Sequence, residues 1–428
     1  MNLLQKLSEN IGTGPGGLEE VEDAKDEIRR ENEERHMEQE RQAKATEEMH
    51  SALTEPSKAE KPETVIMEPG VPLSKDEEEL LKFLEENAPK IYVVGSGGSG
   101  CNTINRVSDL GIFGATPVAM NTDAQHLYRL VKSEKKILLG RKKTKGLGAG
   151  SNPALGEAAA QETEPEIKMM LKDADLVFVT CGMGGGTGTG SAHVIAKAAK
   201  ENGAIVIGVV TMPFTSEGTK RMNNAMEGLE KLRAAADTTI AIPNDKLLYY
   251  VPDLPLNAAF KAADMVLANA VKGIAELITK PGLVNLDFAD VRTIMQESGI
   301  AVIGLGEIQN DKSKDRVIHA AEKALNSPLL DVDISQANKA LINITAGEDL
   351  TLGEAEAAVN AISGRIAKDA HVIWGATVDK TMTGGAVRVL AVLSGIKTDY
   401  HSNMPAAEKK DMQAAADKAQ EELNLDFV

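Results

Sequence analysis

The sequence predicts an α/β protein: a parallel sheet with helices on both faces, then a smaller α+β unit, joined by a long helix. Three observations carry this. Buried-looking β-favouring runs alternate with helical stretches from Ile91 to Ile242. The first and third of those runs end in glycine-rich turns that open helices. Shorter strands and helices continue after residue 298, beyond a long apolar helical pattern at 257–279. Alternation of this kind favours parallel strands with right-handed crossovers.

The elements follow in order. From Gly17 to about Thr64 the chain is charged and nearly free of large apolar residues, too polar to offset its own ordering entropy. Acid-first i,i+4 pairs such as Asp26/Arg30, Glu31/Arg35 and Glu40/Lys44 suit a solvated helix, which Pro56, Pro62, Pro69 and Pro72 then interrupt. Ahead of it, Leu3, Leu4, Leu7 and Ile11 share one helical face and read as a docking peptide. Ser74–Glu77 is a capping box before Leu80, Leu81 and Leu84. Strands are expected at Ile91–Val94, Thr116–Met120, Asp175–Thr180, Ala204–Thr211 and Thr238–Ile242, with helices near 101–110, 190–202 and 216–236. The second unit reads as strands at Ile300–Gly304, Lys339–Thr345, His371–Trp374 and Ala386–Ser394, with helices near 314–326 and 352–368. The expected division is therefore 1–73 as a charged extension, 74–256 as the first domain and 257–297 as connecting helix and loop. The second domain takes 298–397, and 398–428 is a polar tail whose end, Leu423–Val428, is a second candidate docking peptide.

Composition narrows the function. The 428 residues carry a formal charge of -17, which disfavours a general binder of nucleic acid or anionic membrane. Aromatic residues are 3% of the chain, too few to suggest stacking on exposed bases. Two cysteines, Cys101 and Cys181, suit a reducing cytoplasm and supply no zinc framework. No apolar run has the length of a membrane span, and the N-terminus lacks the apolar core of a signal peptide.

The chemistry lies in the glycine turns. Gly95-Ser-Gly-Gly-Ser-Gly100-Cys-Asn102 contains G-x-G-x-x-G after a strand, and Asp123 follows roughly 20 residues later. Alone, this fits a nicotinamide or flavin oxidoreductase as well as any phosphate ligand. The second run, Cys181-Gly-Met-Gly-Gly-Gly-Thr-Gly-Thr-Gly-Ser191, shifts the balance. Two such loops on one sheet edge suit a single polyphosphate held from both sides, with backbone N–H groups, helix dipoles and Mg²⁺ meeting its charge. A third flexible loop, Gly146–Asn152, is placed to close over the terminal phosphate. The lysine-bearing G-x-x-x-x-G-K-[ST] motif is absent. Asp287 and Asp290, at i,i+3 where a helix begins, read from spacing alone as helix N-terminal acids.

With these motifs in view, the chain resembles FtsZ, the tubulin-like GTPase family of prokaryotic cell division, with the character of its archaeal branch. Gly184–Gly190 is similar to the family signature, and Asn121–Gln125, Gly148–Pro153, Pro243–Lys246 and Asn285–Arg292 match in order over a span from Ile91 to Lys397. The resemblance implies a tubulin/FtsZ-like fold, GTP as ligand with Mg²⁺ bound alongside, and head-to-tail filaments in the cytoplasm at the division site. It implies that Gly97, Gly98, Ser99, Gly100, Cys101 and Asn102, with Gly184, Gly185, Gly186, Thr187, Gly188, Thr189 and Gly190, hold the phosphates and part of the nucleoside. Asp123 and Asn152 join that group; Ala149 and Gly150 approach the γ-phosphate; Glu217 and Arg221 lie on the ribose side. Asn244, Phe260 and Asp264 frame guanine. Asn285, Asp287 and Asp290 are implied to serve the nucleotide of the next subunit. Ser96 and Ser99 depart mildly from the family's small apolar residues, and His193 replaces a common proline and reads as a surface helix residue. The tail lacks the Pro- and Arg-containing peptide of bacterial members, so anchoring is expected through an adaptor bound at Leu3–Ile11 or Leu423–Val428. A tubulin-like scaffold that binds GTP without turnover is the remaining alternative, and the intact Asn285, Asp287 and Asp290 weigh against it.

Overall fold

The computed structural model describes residues 88–247, 256–280, 282–284, 286–330 and 332–396, with the side chains of 256–259 excepted. The expected capping box at Ser74, both candidate docking peptides and Asn285 lie outside the described residues. Ten strands form one sheet. In chain order the elements begin β1 (Ile91–Ser96), α1 (Gly97–Leu110), β2 (Ala115–Asn121), α2 (Ala124–Leu130), β3 (Lys135–Leu138) and α3 (Arg141–Thr144). They continue α4 (Pro153–Glu162), α5 (Glu164–Met170), β4 (Leu176–Gly182), α6 (Thr187–Glu201), β5 (Ile205–Met212), α7 (Thr219–Ala235), β6 (Thr238–Pro243) and α8 (Asn244–Leu247). After α9 (Leu256–Thr279) and α10 (Phe288–Met295) come β7 (Gly299–Ile308), α11 (Arg316–Leu325), β8 (Lys339–Ala346), α12 (Leu352–Ser363), β9 (His371–Val378) and β10 (Val387–Ser394).

The sheet order is β3-β2-β1-β4-β5-β6-β7-β10-β8-β9. Every neighbouring pair from β3 to β7 is parallel, β8 and β9 share that direction, and β10 runs against it between β7 and β8. The second unit is therefore joined to the first through backbone pairing of Thr238–Ile240 with Gly299–Ala301. That continuity was not expected from the sequence. Central strands are buried on both faces, which is why β4 and β5 read as unbroken apolar runs rather than alternating ones.

Order also locates the crevice. The chain leaves β1 in one direction toward β2 and β3, and then returns to β4 on β1's other side. This reversal is the topological switch point of a doubly wound sheet, where ligands bind beyond the carboxyl ends of the strands. β1 and β4 are direct neighbours, with Ile91 opposite Leu176. Both glycine runs start at their carboxyl ends.

Candidate functional site

Each glycine run is a strand-to-helix junction, and the structure draws the junctions tighter than expected. α1 begins at Gly97 and α6 at Thr187, so both helices start inside the glycine runs rather than after them. Neither helix has a side-chain cap, and neither carries an acid in its first turn. Their free N–H groups and positive dipole ends are thus left to an anion. Gly97 adopts φ +74°, and a Cβ there would stand 2.8 Å from the Gly188 nitrogen, so the two loops touch through backbone. Gly184, at φ +92°, would bring a Cβ within 2.8 Å of the Arg221 carbonyl. By contrast, a Cβ on Gly98 or Gly185 would meet nothing within 4 Å. Some glycines therefore serve packing, while these two face an open space that phosphate oxygens can enter.

Hydroxyl pairs stitch the loops together. Ser96 and Ser191 share a hydrogen bond of 2.5 Å between buried Oγ atoms, and Ser191 donates to the Thr187 carbonyl at 2.7 Å. Thr122 and Thr187 share another of 2.6 Å, tying the end of β2 to the second loop. These partners stand 95 and 65 residues apart in the chain, so no local pattern announces them. Ser96 keeps its polar side chain in a buried position because Ser191 satisfies it.

The third loop closes on the second. A Cβ on Gly186 would approach the Asn152 nitrogen at 2.8 Å and the Ala149 Cβ at 2.9 Å. Gly150, at φ +54°, faces open space. Asn152 caps α4, its Oδ1 accepting from the N–H groups of Ala154 and Leu155 at 3.1 and 3.4 Å. Asp123 caps α2 in the same way, accepting from His126 N–H at 3.0 Å. Both side chains are thus committed to capping the helices that follow their loops. Cys101 and Cys181 are fully buried, and burial pushes each thiol up to about 12, so both pack as small apolar groups.

A second group gathers beside α9. Asp264 is 9% exposed, and Ser99 Oγ lies 3.5 Å from its carboxylate. Burial raises its carboxyl to about 7, against a smaller pull from Arg106 and the Ser99 hydroxyl. Phe260, one helical turn earlier on the same face, meets Phe214 edge-to-face with ring centroids 5.4 Å apart. Asn244 is buried, and among the described residues its Oδ1 has no hydrogen-bond partner. A buried acceptor left unpaired costs on the order of 1–3 kcal/mol and awaits a donor. Glu217 accepts from Phe214 N–H at 2.9 Å and pairs with Arg221 at 2.5 Å, next to the Gly184 contact. His193 is not the surface residue expected from its helical position. Its Nε2 lies 3.3 Å from Glu157, which also pairs with Lys231 at 2.7 Å.

Asp287 and Asp290 are elsewhere. Asp287 stands at the N-cap position of α10, yet its carboxylate accepts no hydrogen bond from the helix. Both acids are exposed, and among the described residues neither carboxylate has an ion pair. The N-terminal-cap explanation drawn from spacing thus leaves the Asp287 carboxylate unused. α10 leads into β7, and Thr238 at the start of β6 donates to its Met295 carbonyl, so the carbonyl end of α10 sits at the amino ends of β6 and β7, away from the carboxyl ends where the glycine loops begin. α9 spans the distance: 24 residues give about 36 Å. Asp264 faces Ser99 near the start of α9, and the acids follow its end.

Comparison with known proteins finds matches over most of the chain. Residues 90–252 match the model of the Tubulin/FtsZ family, GTPase domain, and residues 299–397 that of the FtsZ family, C-terminal domain. The chain is 52% identical over 351 residues to cell division protein FtsZ 1 of Thermococcus kodakarensis, covering 82% of this chain and 91% of that protein. It is 49% identical over 384 residues to cell division protein FtsZ of Methanothermobacter thermautotrophicus, covering 89% and 98%. Among solved structures, an empty FtsZ dimer of M. jannaschii superposes with a TM-score of 0.72 at 54% identity, covering 76% of this chain and 93% of that one. A GTPγS-bound protofilament of CetZ2 from Haloferax volcanii, at 21% identity and a TM-score of 0.63, shares the fold over 77% of this chain and 99% of that one.

Proposed function

The chain belongs to the FtsZ family of tubulin-like GTPases, and from that premise we propose that its GTP is cut between two copies of the protein rather than within one. It is a GTP-binding, GTP-hydrolysing filament protein of cell division. The observation that carries the proposal is the separation of parts. The phosphate loops lie at the carboxyl ends of β1 and β4, whereas Asp287 and Asp290 follow the far end of α9. Head-to-tail stacking brings one copy's acids to the next copy's nucleotide.

Each residue then has a task. The N–H groups opening α1 and α6, with the open faces of Gly98 and Gly185, receive the phosphate oxygens. Ala149 and Gly150 close over the γ-phosphate. Asp264 accepts from the ring N–H and amino group of guanine, Asn244 Oδ1 gains the donor it lacks, and Phe260 covers the base. Glu217 and Arg221 border the ribose. On the partner copy, Asp287 and Asp290, with Asn285, orient a water and polarise its O–H bonds. The water oxygen bonds to the γ-phosphorus as the bond to the bridging oxygen breaks, the water's proton passes to one of the partner copy's carboxylates, and GDP leaves with the electron pair of the broken bond. No lysine or arginine lies within 95–102 or 182–190, so the loops fit a phosphate chain that arrives with its own cation. Mg²⁺ carried by the phosphates would neutralise charge on their oxygens.

The same proposal covers the domain division at residues 74–256, 257–297 and 298–397, and a site of action in the cytoplasm at the division plane. It includes an adaptor protein as the membrane link, bound through Leu3–Ile11 or Leu423–Val428. Among the described residues no helix is long and apolar enough to cross a membrane.

Asp290→Ala tests the central step. GDP binding should persist, phosphate release should fall about a hundredfold or more, and filaments should persist or live longer. Loss of nucleotide binding in this variant would mean that Asp290 serves its own copy's site.

A further inference from the structure

We propose that Lys339 is a positioning residue for the acids that act on the neighbouring copy's nucleotide. It rests on the trans-acting reading of Asp287 and Asp290. α10, which presents those acids at its start, has this ammonium group among the donors that hold its other end. Lys339 Nζ donates to the carbonyls of Thr293 at 3.3 Å and Gln296 at 3.2 Å, and to Ser298 Oγ at 3.0 Å. An ammonium has three protons, and all three are used. The carbonyl end of a helix is short of donors and carries partial negative charge, so a cation there satisfies both needs. Ser298 in turn donates to the Ile294 carbonyl, and Thr238 Oγ1 donates to the Met295 carbonyl at 2.5 Å.

The front of the segment is pinned as well. The N–H groups of Leu283 and Val284 point at the Ala376 carbonyl at 2.8 and 3.4 Å, and Ala376 N–H returns to the Val284 carbonyl at 3.2 Å. This bridge lays the approach to the acids along the outer edge of β9. A Cβ on Gly375 would stand 3.2 Å from the Val284 carbonyl, so the glycine admits the close approach. The acid-bearing segment is thus fastened to β6, β8 and β9, while Asp287 and Asp290 themselves are exposed between the fastenings. α10 has eight residues, about 12 Å in length, so loosening its carbonyl end shifts the acids at its start. Misplacement of a catalytic group by about 1 Å can cost about a hundredfold in rate.

Lys339 touches neither GTP nor the attacking water in this account; it acts through α10. The test compares Lys339→Met, Lys339→Arg, Asp290→Ala and the double variant Asp290→Ala/Lys339→Met in the full chain. Phosphate release is measured per assembled subunit, together with GDP affinity, critical concentration and melting temperature. Lys339→Met should lower kcat about tenfold or more, with GDP affinity and critical concentration within about twofold of the parent. Lys339→Arg should recover most of the rate, and the double variant should be no slower than Asp290→Ala alone. Unchanged turnover in Lys339→Met, beside a collapsed Asp290→Ala, overturns this inference and leaves the trans reading standing. A rate loss accounted for by weaker assembly or weaker GDP binding, and not recovered by arginine, overturns it equally. Full activity in Asp290→Ala overturns the trans reading, and this inference with it.

Discussion

Nucleotide affinity should depend on pH through Asp264, and the structure sets the size of the effect. The perturbation is a shift from pH 8 to pH 6. In the free protein burial holds the Asp264 carboxyl at about 7, so protonated and ionised forms are both populated near neutrality. Guanine offers two N–H donors at the proposed position, which only the ionised form accepts twice. If the ionised form alone binds, the apparent dissociation constant scales as 1 plus ten to the power of that value less the pH. The factor is about 1.1 at pH 8 and about 11 at pH 6, a tenfold loss equal to about 1.4 kcal/mol. Phosphate groups also titrate near pH 6, so the reading is the ratio of wild-type to Asp264→Asn affinity for GDP, measured by calorimetry. That ratio should shrink about tenfold from pH 8 to pH 6, in favour of the variant. A ratio that stays constant would refute the assignment of Asp264 to the base. A linked effect has a defined sign. Between its ordinary value near 4 and about 7, the folded state keeps a proton that the unfolded state has released. Asp264 therefore lowers the stability of the nucleotide-free protein as pH rises through that window, by up to about 4 kcal/mol, relative to Asp264→Asn.

Two other outcomes can be checked directly. A Cβ on Gly190 would fall 2.1 Å from the Pro153 carbonyl and 2.5 Å from the Glu157 nitrogen, both backbone atoms on α4. Gly190→Ala should therefore destabilise by about 1–3 kcal/mol or more, read as a lowered urea midpoint, and should weaken GDP binding by displacing α6; a wild-type midpoint would contradict the packing argument. Deleting residues 1–73 should leave GTPase rate and assembly within about twofold while altering localisation or filament bundling, because this charged stretch offers few large apolar residues to the core; loss of folded protein would contradict that expectation.

Much of the site was legible because its chemistry is local. A strand that runs into glycines and then a helix is visible in one short window, and two such windows imply a shared ligand. Less local features escaped. β3 (Lys135–Leu138) carries two lysines in four residues and gave no apolar signal, although its pairing with β2 forms one edge of the sheet. Helices α4 and α5 were hidden by Pro153, Gly156 and Pro165. Both prolines sit in first turns, where the missing N–H costs nothing, and Gly156 is needed because a Cβ would lie 2.2 Å from the Gly186 carbonyl. Ser96 read as a mild departure from a pattern; only its partner Ser191 explains it. Lys339 read as the first residue of a strand, and nothing near it in the chain points to the carbonyls it holds. The choice of guanine came from resemblance, since spacing alone does not distinguish one base from another.

The central claim is that one copy binds GTP and the next copy completes the chemistry. Turnover per subunit, measured across a dilution series at saturating GTP, tests it most directly. The rate per subunit should be near zero below the assembly threshold and rise steeply above it. A rate per subunit that stays constant down to high dilution would mean that each copy carries a complete site, and the account would be wrong.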